Sequence, residues 1–218
     1  MTWTVHVLNA RGRLDSSQAR VREAIDAVHD RAQKLVGPIA LDIVVEARRR
    51  GTIPERGHVG HVSSRGLMRL RLDPDNPNFV DNLGEPFERM VAHELHHVVR
   101  RDAVVRGKRL LDALVMEGLA GRFVEELYGS VPEPWECAVS GAPLDDVAKL
   151  AGLRAERDDH DHAEWFYGAG ELPRWAGYTL GYELVGARRA PLDRIPPSAL
   201  AATPADAFLP TLDELVRH

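Results

Sequence analysis

His93, Glu94 and His97 stand in the run Arg89-Met90-Val91-Ala92-His93-Glu94-Leu95-His96-His97-Val98-Val99 and spell H-E-x-x-H. Imidazoles and carboxylates bind divalent ions and move protons near neutral pH. On a helix, residues four apart lie one turn above each other, so His93 and His97 can offer two nitrogens to one metal ion. Glu94 projects about 100° around the same helix, at ~3.6 residues per turn, and can reach a water held by that ion. His96 offers a second register with His93, but the i,i+4 pair with an acid beside it suits hydrolytic zinc better. A further carboxylate, Glu117, lies in the middle of Leu110–Val124, a segment apolar on nearly every face. Burying it there costs several kcal/mol unless a cation or strong donors satisfy it. Two imidazoles and one carboxylate complete the protein ligands of a catalytic zinc and leave a position open for water.

These side chains need rigid carriers. Phe87, Met90, Val91, Leu95 and Val98 recur at spacings of three and four, which predicts a helix around the motif with Pro86 in its first turn. The Glu117 segment reads as a second, buried helix, stopped at Tyr128-Gly129. Upstream, Thr2–Leu8 reads as a strand. Asp15-Ser16-Ser17 can cap a helix to about Val36, with Val21, Ile25, Val28, Ala32 and Leu35 as its apolar stripe and Gly37-Pro38 as its end. Ile39–Ala47 alternates as a strand, and Gly57–Ser63 and Gly66–Leu72 read as two more, joined at Ser64-Arg65. Residues 73–78 are dense in turn formers. Beyond the Val131–Trp135 connector, helices are expected near 143–155, 174–189 and 204–216, punctuated by Pro191, Pro196, Pro197 and Pro204. The expected class is α+β: a small mixed sheet and an active-site helix in residues 1–129, then a helical half, 130–218, packed on it.

His93-Glu94-x-x-His97 with Glu117 in the run Glu117-Gly118-Leu119-Ala120 resembles the gluzincin metallopeptidases. The run His93-Glu94-Leu95-His96-His97, together with the later Gly177-Tyr178-Thr179-Leu180-Gly181-Tyr182, resembles a bacterial family of predicted zinc-dependent proteases. The likeness spans about residues 86–128 and, more weakly, 160–190. It implies a zincin-like fold, one Zn2+ per chain on His93, His97 and Glu117, Glu94 as general base, and a peptide or protein substrate. It also implies an oxyanion donor from the C-terminal half, for which Tyr178 comes first and His162 second. In such folds a strand at the sheet edge flanks the metal cleft, and Leu67–Leu72 is expected to be that strand and to pair with an extended substrate. Gluzincins often carry an acid one turn after the Glu ligand; here that place is Gly121.

Composition bounds the rest. A chain of 218 residues with 44% hydrophobic content can build a real core. The net charge of −5 argues against nucleic acid, and no apolar run reaches the ~18 residues of a membrane span. The N-terminal residues lack the pattern of a signal peptide, and Cys137 is a lone cysteine, so the cytoplasm is the expected compartment. Asp158-Asp159-His160-Asp161-His162 reads as a charged loop, and His58 and His61 as strand-end or surface histidines. Trp165-Phe166-Tyr167 and Trp175 can wall a pocket or fill a core. Two rivals to peptidase activity remain: a non-catalytic zinc-stabilised interaction protein, and an iron oxygenase built on two His and one carboxylate. The acid inside H-E-x-x-H counts against the second.

Overall fold

The computed structural model describes residues 3–105, 107–129, 131–190 and 195–217; Thr2 and Pro191 lie outside them. The protein is α+β and divides into two compact units, Met1–Asp102 and Ala103–His218.

The first unit runs β1 (Trp3–Leu8), α1 (Gln18–Val36), β2 (Leu41–Ala47), β3 (His58–Ser64), β4 (Leu67–Leu72) and α2 (Glu85–Ala103). Its four strands lie in the order β1-β2-β4-β3. β1, β2 and β4 are mutually parallel, and β3 runs antiparallel to β4. Helix α1 makes the crossover between β1 and β2 that parallel neighbours require. Register places Val5 beside Ile43 and Ile43 beside Met68, so the β-branched and Leu positions of successive strands share one face. On that face Ile43, Val45, Met68, Leu70 and Leu72 are fully buried. The opposite face carries the alternate residues, among them His6 and Asp42, whose side chains pair at 2.8 Å. Val21, Ala24, Ile25, Val28 and Ala32 form the buried side of α1, while Leu35, on the same stripe, is exposed in its last turn.

The expected edge strand is corrected here. Leu67–Leu72 lies inside the sheet, between β2 and β3, and the edges are β1 and β3. The short turn at Arg65-Gly66, with Gly66 at φ +67°, folds β4 back onto β3. Met68, Leu70 and Leu72 then sit centrally beside Ile43 and Val45. Arg69 and Arg71 alternate onto the polar face, so they mark a face rather than an edge.

The second unit is helical: α3 (Leu110–Tyr128), α4 (Ala142–Arg154), α5 (His162–Tyr167), α6 (Ala176–Arg189) and α7 (Leu209–Arg217), with 3-10 turns at Pro197–Leu200 and Ala205–Phe208. Its core gathers Leu114, Leu119, Trp165, Phe166, Leu184 and Phe208. The stretch read as a charged loop ends in α5, because the Asp161 carboxylate caps it, accepting from the N–H groups of Ala163 (2.8 Å) and Glu164 (3.3 Å). Among the described residues no helix is long and apolar enough to cross a membrane.

Candidate active site

Helix α2 buries Phe87, Val91, Ala92, Leu95 and Val98 completely. The same 3.6-residue period that turns these residues inward brings His93, Glu94 and His97 together on another side. Its first turn holds Glu85 and Glu88 and its last Arg100 and Arg101, charges that complement the helix dipole at both ends. One ligand atom from each of His93, Glu94 and His97 lies within 4.8 Å of the other two. The two imidazole rings are 4.7 Å apart and nearly perpendicular. His97 is buried while His93 and Glu94 are half-buried, so the cluster keeps access to solvent. Two imidazoles at this spacing can hold one zinc ion, with a carboxylate beside them that can serve as a further donor or as a base. His96 is fully buried and does not join that group.

Above this cluster runs β3. At Gly60 the strand comes so close to α2 that a β-carbon there would overlap Glu94 Cγ and lie 2.7 Å from Met90 Sδ and 3.0 Å from Glu94 Cδ. The edge orientation of Gly60 follows from its neighbours. Gly57 C=O accepts from Asp73 N–H on the β4 side (2.8 Å), and His58 C=O accepts from Ile53 N–H on the outer side (3.2 Å). Strand alternation then directs the N–H and C=O of Gly60 outward as well. Sequence reading missed Gly60, although a glycine inside a strand often marks a close approach of another group. His58 is fully buried with its ring edge-on to Phe87, 5.3 Å away, so it is a core residue; His61 is exposed.

In the second unit Glu117 is buried in the middle of α3. The next residue, Gly118, meets α6: a β-carbon on it would overlap the carbonyl of Gly181, and one on Gly181 would overlap the carbonyl of Leu114. The two glycines let α3 and α6 cross in backbone contact, which explains much of the Gly177–Tyr182 run. Gly177 lies against the Phe166 ring, and Thr179 Oγ1 donates to Trp135 C=O at 3.0 Å. Tyr182 donates its phenol to Glu125 (3.1 Å), under the Arg122 guanidinium, 3.4 Å from the ring centre. Burial outweighs that positive charge and, with Glu125 adjacent, holds the phenol well above its ordinary pKa. At Gly121 the space of a side chain is taken by the buried Glu136 carboxylate, which delivers an acid one turn beyond Glu117 from the 131–140 connector.

Tyr178 and His162, the two residues considered as oxyanion donors, flank one ring. His162 stacks on Phe166 at 4.4 Å, and Tyr178 meets it edge-on at 5.0 Å. Both are half-buried. Trp165 and Phe166 are fully buried core, whereas Tyr167 is exposed. Cys137 is an exposed free thiol.

Comparison with known proteins supplies a family. The profile of the family described as predicted Zn-dependent protease (DUF2268) matches residues 17–208. The uncharacterized protein YjaZ of Bacillus subtilis (strain 168) is 31% identical over 103 residues, which make up 44% of this chain and 40% of that protein. The match thus covers well under two thirds of that relative's length. No solved structure matches significantly.

Proposed function

The chain belongs to the family of predicted zinc-dependent proteases, and from that premise we propose that it is a gluzincin-like metallopeptidase with its reaction centred on α2. The observation that carries this reading is the convergence of His93, Glu94 and His97 within 4.8 Å of one another on one solvent-reachable side of the helix. In this reading His93, His97 and Glu117 hold a single zinc ion. Bound zinc supplies Lewis acidity, drawing the pKa of a water from ~16 towards ~7 and polarising the scissile carbonyl. Glu94 takes the proton of the attacking water and passes it to the leaving amine, a role its half-buried carboxylate suits because it lies within 4.8 Å of a ring nitrogen of each imidazole. Tyr178 donates to the oxyanion that develops on the substrate carbonyl.

The substrate is an extended peptide. It adds to the sheet at β3, where Gly60 turns its backbone N–H and C=O outward beside Glu94. The site's chemistry favours this over a structural zinc, which has no use for a solvent-reachable acid next to its ligands.

The test is Glu94→Gln, which keeps size and a hydrogen-bonding tip but cannot accept the water's proton. Zinc content and Tm should stay at the parent's values, while cleavage of a broad peptide library falls at least ~100-fold. Equal cleavage by parent and variant refutes the mechanism. A zinc-loaded parent inert towards the whole library would favour the interaction-protein reading.

A further inference from the structure

Gly60 differs from most glycines in turns, because its backbone does not need glycine. Its φ is outside the left-handed region that Gly57 (φ +72°) and Gly66 (φ +67°) occupy, and it pairs with Leu70 in regular antiparallel register. What it supplies is space. The atoms a β-carbon would strike belong to two side chains one turn apart on α2: the stem of Glu94 and the sulfur of Met90. We propose that Gly60 is a positioning residue for Glu94: the bare backbone of β3 is the wall against which the glutamate stem is laid, so that its carboxylate faces His93 and His97.

Two features of the fold give this wall its stiffness. β3 is held to β4 from His58 to Ser64, and β4 is buried in the sheet centre through Met68, Leu70 and Leu72. The stem of Glu94 is hemmed by Met90, which lies one turn before it on the same helix and touches the same bare position. A methyl group at position 60 therefore displaces side chains rather than backbone. Both obstructing groups are flexible, so the fold survives while Glu94 rotates to another rotamer. Misplacing a catalytic group by about 1 Å costs up to ~100-fold in rate. The inference rests on Glu94 being the general base, and its test is arranged so that the two ideas fail separately.

The experiment uses the full chain with zinc and compares Gly60→Ala with Gly84→Ala, whose added methyl meets nothing within 4 Å. Gly60→Ala should bind zinc as the parent does, lower kcat at least tenfold, change KM less than threefold, and reduce Tm by roughly 3–10 °C. Gly84→Ala should match the parent in zinc binding, kcat and KM, and lose in Tm only what alanine costs at the cap of α2, a loss that does not change in the Glu94→Ala background. The Tm penalty of Gly60→Ala should persist in a Glu94→Gln background, where the stem is intact, and shrink by more than half in a Glu94→Ala background, where it is gone. Parent-like kcat in Gly60→Ala overturns the proposal, as does an undiminished Tm penalty with Glu94→Ala. If Glu94→Gln proves fully active, the general-base role falls, and the proposed contact is still decided by the Tm cycle.

Discussion

His58 couples the stability of the first unit to pH. Its ring is fully buried against Phe87. Burial, reinforced by the nearby charge of Arg56 and only partly opposed by the backbone of Asn82, lowers its pKa from 6.5 to about 4. The folded state thus rejects a proton that the unfolded chain accepts. The resulting stability is present above pH 6.5 and lost as pH falls towards 4. At ~1.4 kcal/mol per tenfold change in proton affinity, the full effect is about 3 kcal/mol, of which about 2.5 kcal/mol should vanish between pH 7.5 and 4.5. His58→Leu removes the titrating group and keeps an apolar filling of similar volume. Urea unfolding of both proteins across that range, with chelator present so that zinc release does not contribute, gives the comparison. The exposed carboxylates Asp75 and Asp159, held below their ordinary range by hydrogen bonds from Arg49 and Arg157, weaken both proteins alike at low pH. The slope of stability against pH should therefore be shallower in His58→Leu by about 2.5 kcal/mol over the range. Parallel loss in the two proteins would show that His58 does not titrate with folding.

The ligand set and the oxyanion donor are open to direct measurement. Glu117→Ala should lower zinc affinity by at least tenfold while His96→Ala, altering a histidine outside the cluster, changes it less; competition with a chromogenic chelator measures both, and equal affinity in Glu117→Ala and the parent removes Glu117 from the ligands. Tyr178→Phe should keep zinc and lower kcat by roughly tenfold to a thousandfold, the range for losing one oxyanion donor. If that loss appears only in His162→Ala, the donor is the other neighbour of Phe166.

Side chains whose roles depend on local period were legible in the sequence. The spacing of Phe87, Val91, Leu95 and Val98 specifies which side of α2 is buried, and hence which residues remain on the side of His93 and His97. The same holds for the alternation in β2 and β4. Strand order was not legible, because Arg69 and Arg71 look alike on an edge strand and on the solvent face of a central one. Only the pairing of β4 with both β2 and β3 separates the two cases. Asp161 was hidden in a different way: within a run of charge it reads as solvated loop, and its capping role depends on where the following backbone N–H groups point.

Glycine was the residue type whose meaning sequence left most ambiguous. Gly37, Gly66 and Gly129 end elements at positive φ, a use that position beside a helix or turn announces. Gly60, Gly118 and Gly181 have no such backbone demand; each is bare because another segment occupies the space of its side chain. The nearest atom of that segment lies between 34 and 67 residues away in the chain (Gly60 to Glu94, Gly181 to Leu114). No local pattern can reveal it, yet these positions adjoin the residues with the strongest claim to chemistry: Gly60 touches Glu94, and Gly118 follows Glu117. The His93, Glu94 and His97 group could be found by type and spacing. The bare positions that decide where those side chains rest emerge only once distant strands and helices are packed, and a methyl group added at Gly60 is the smallest change that separates the two.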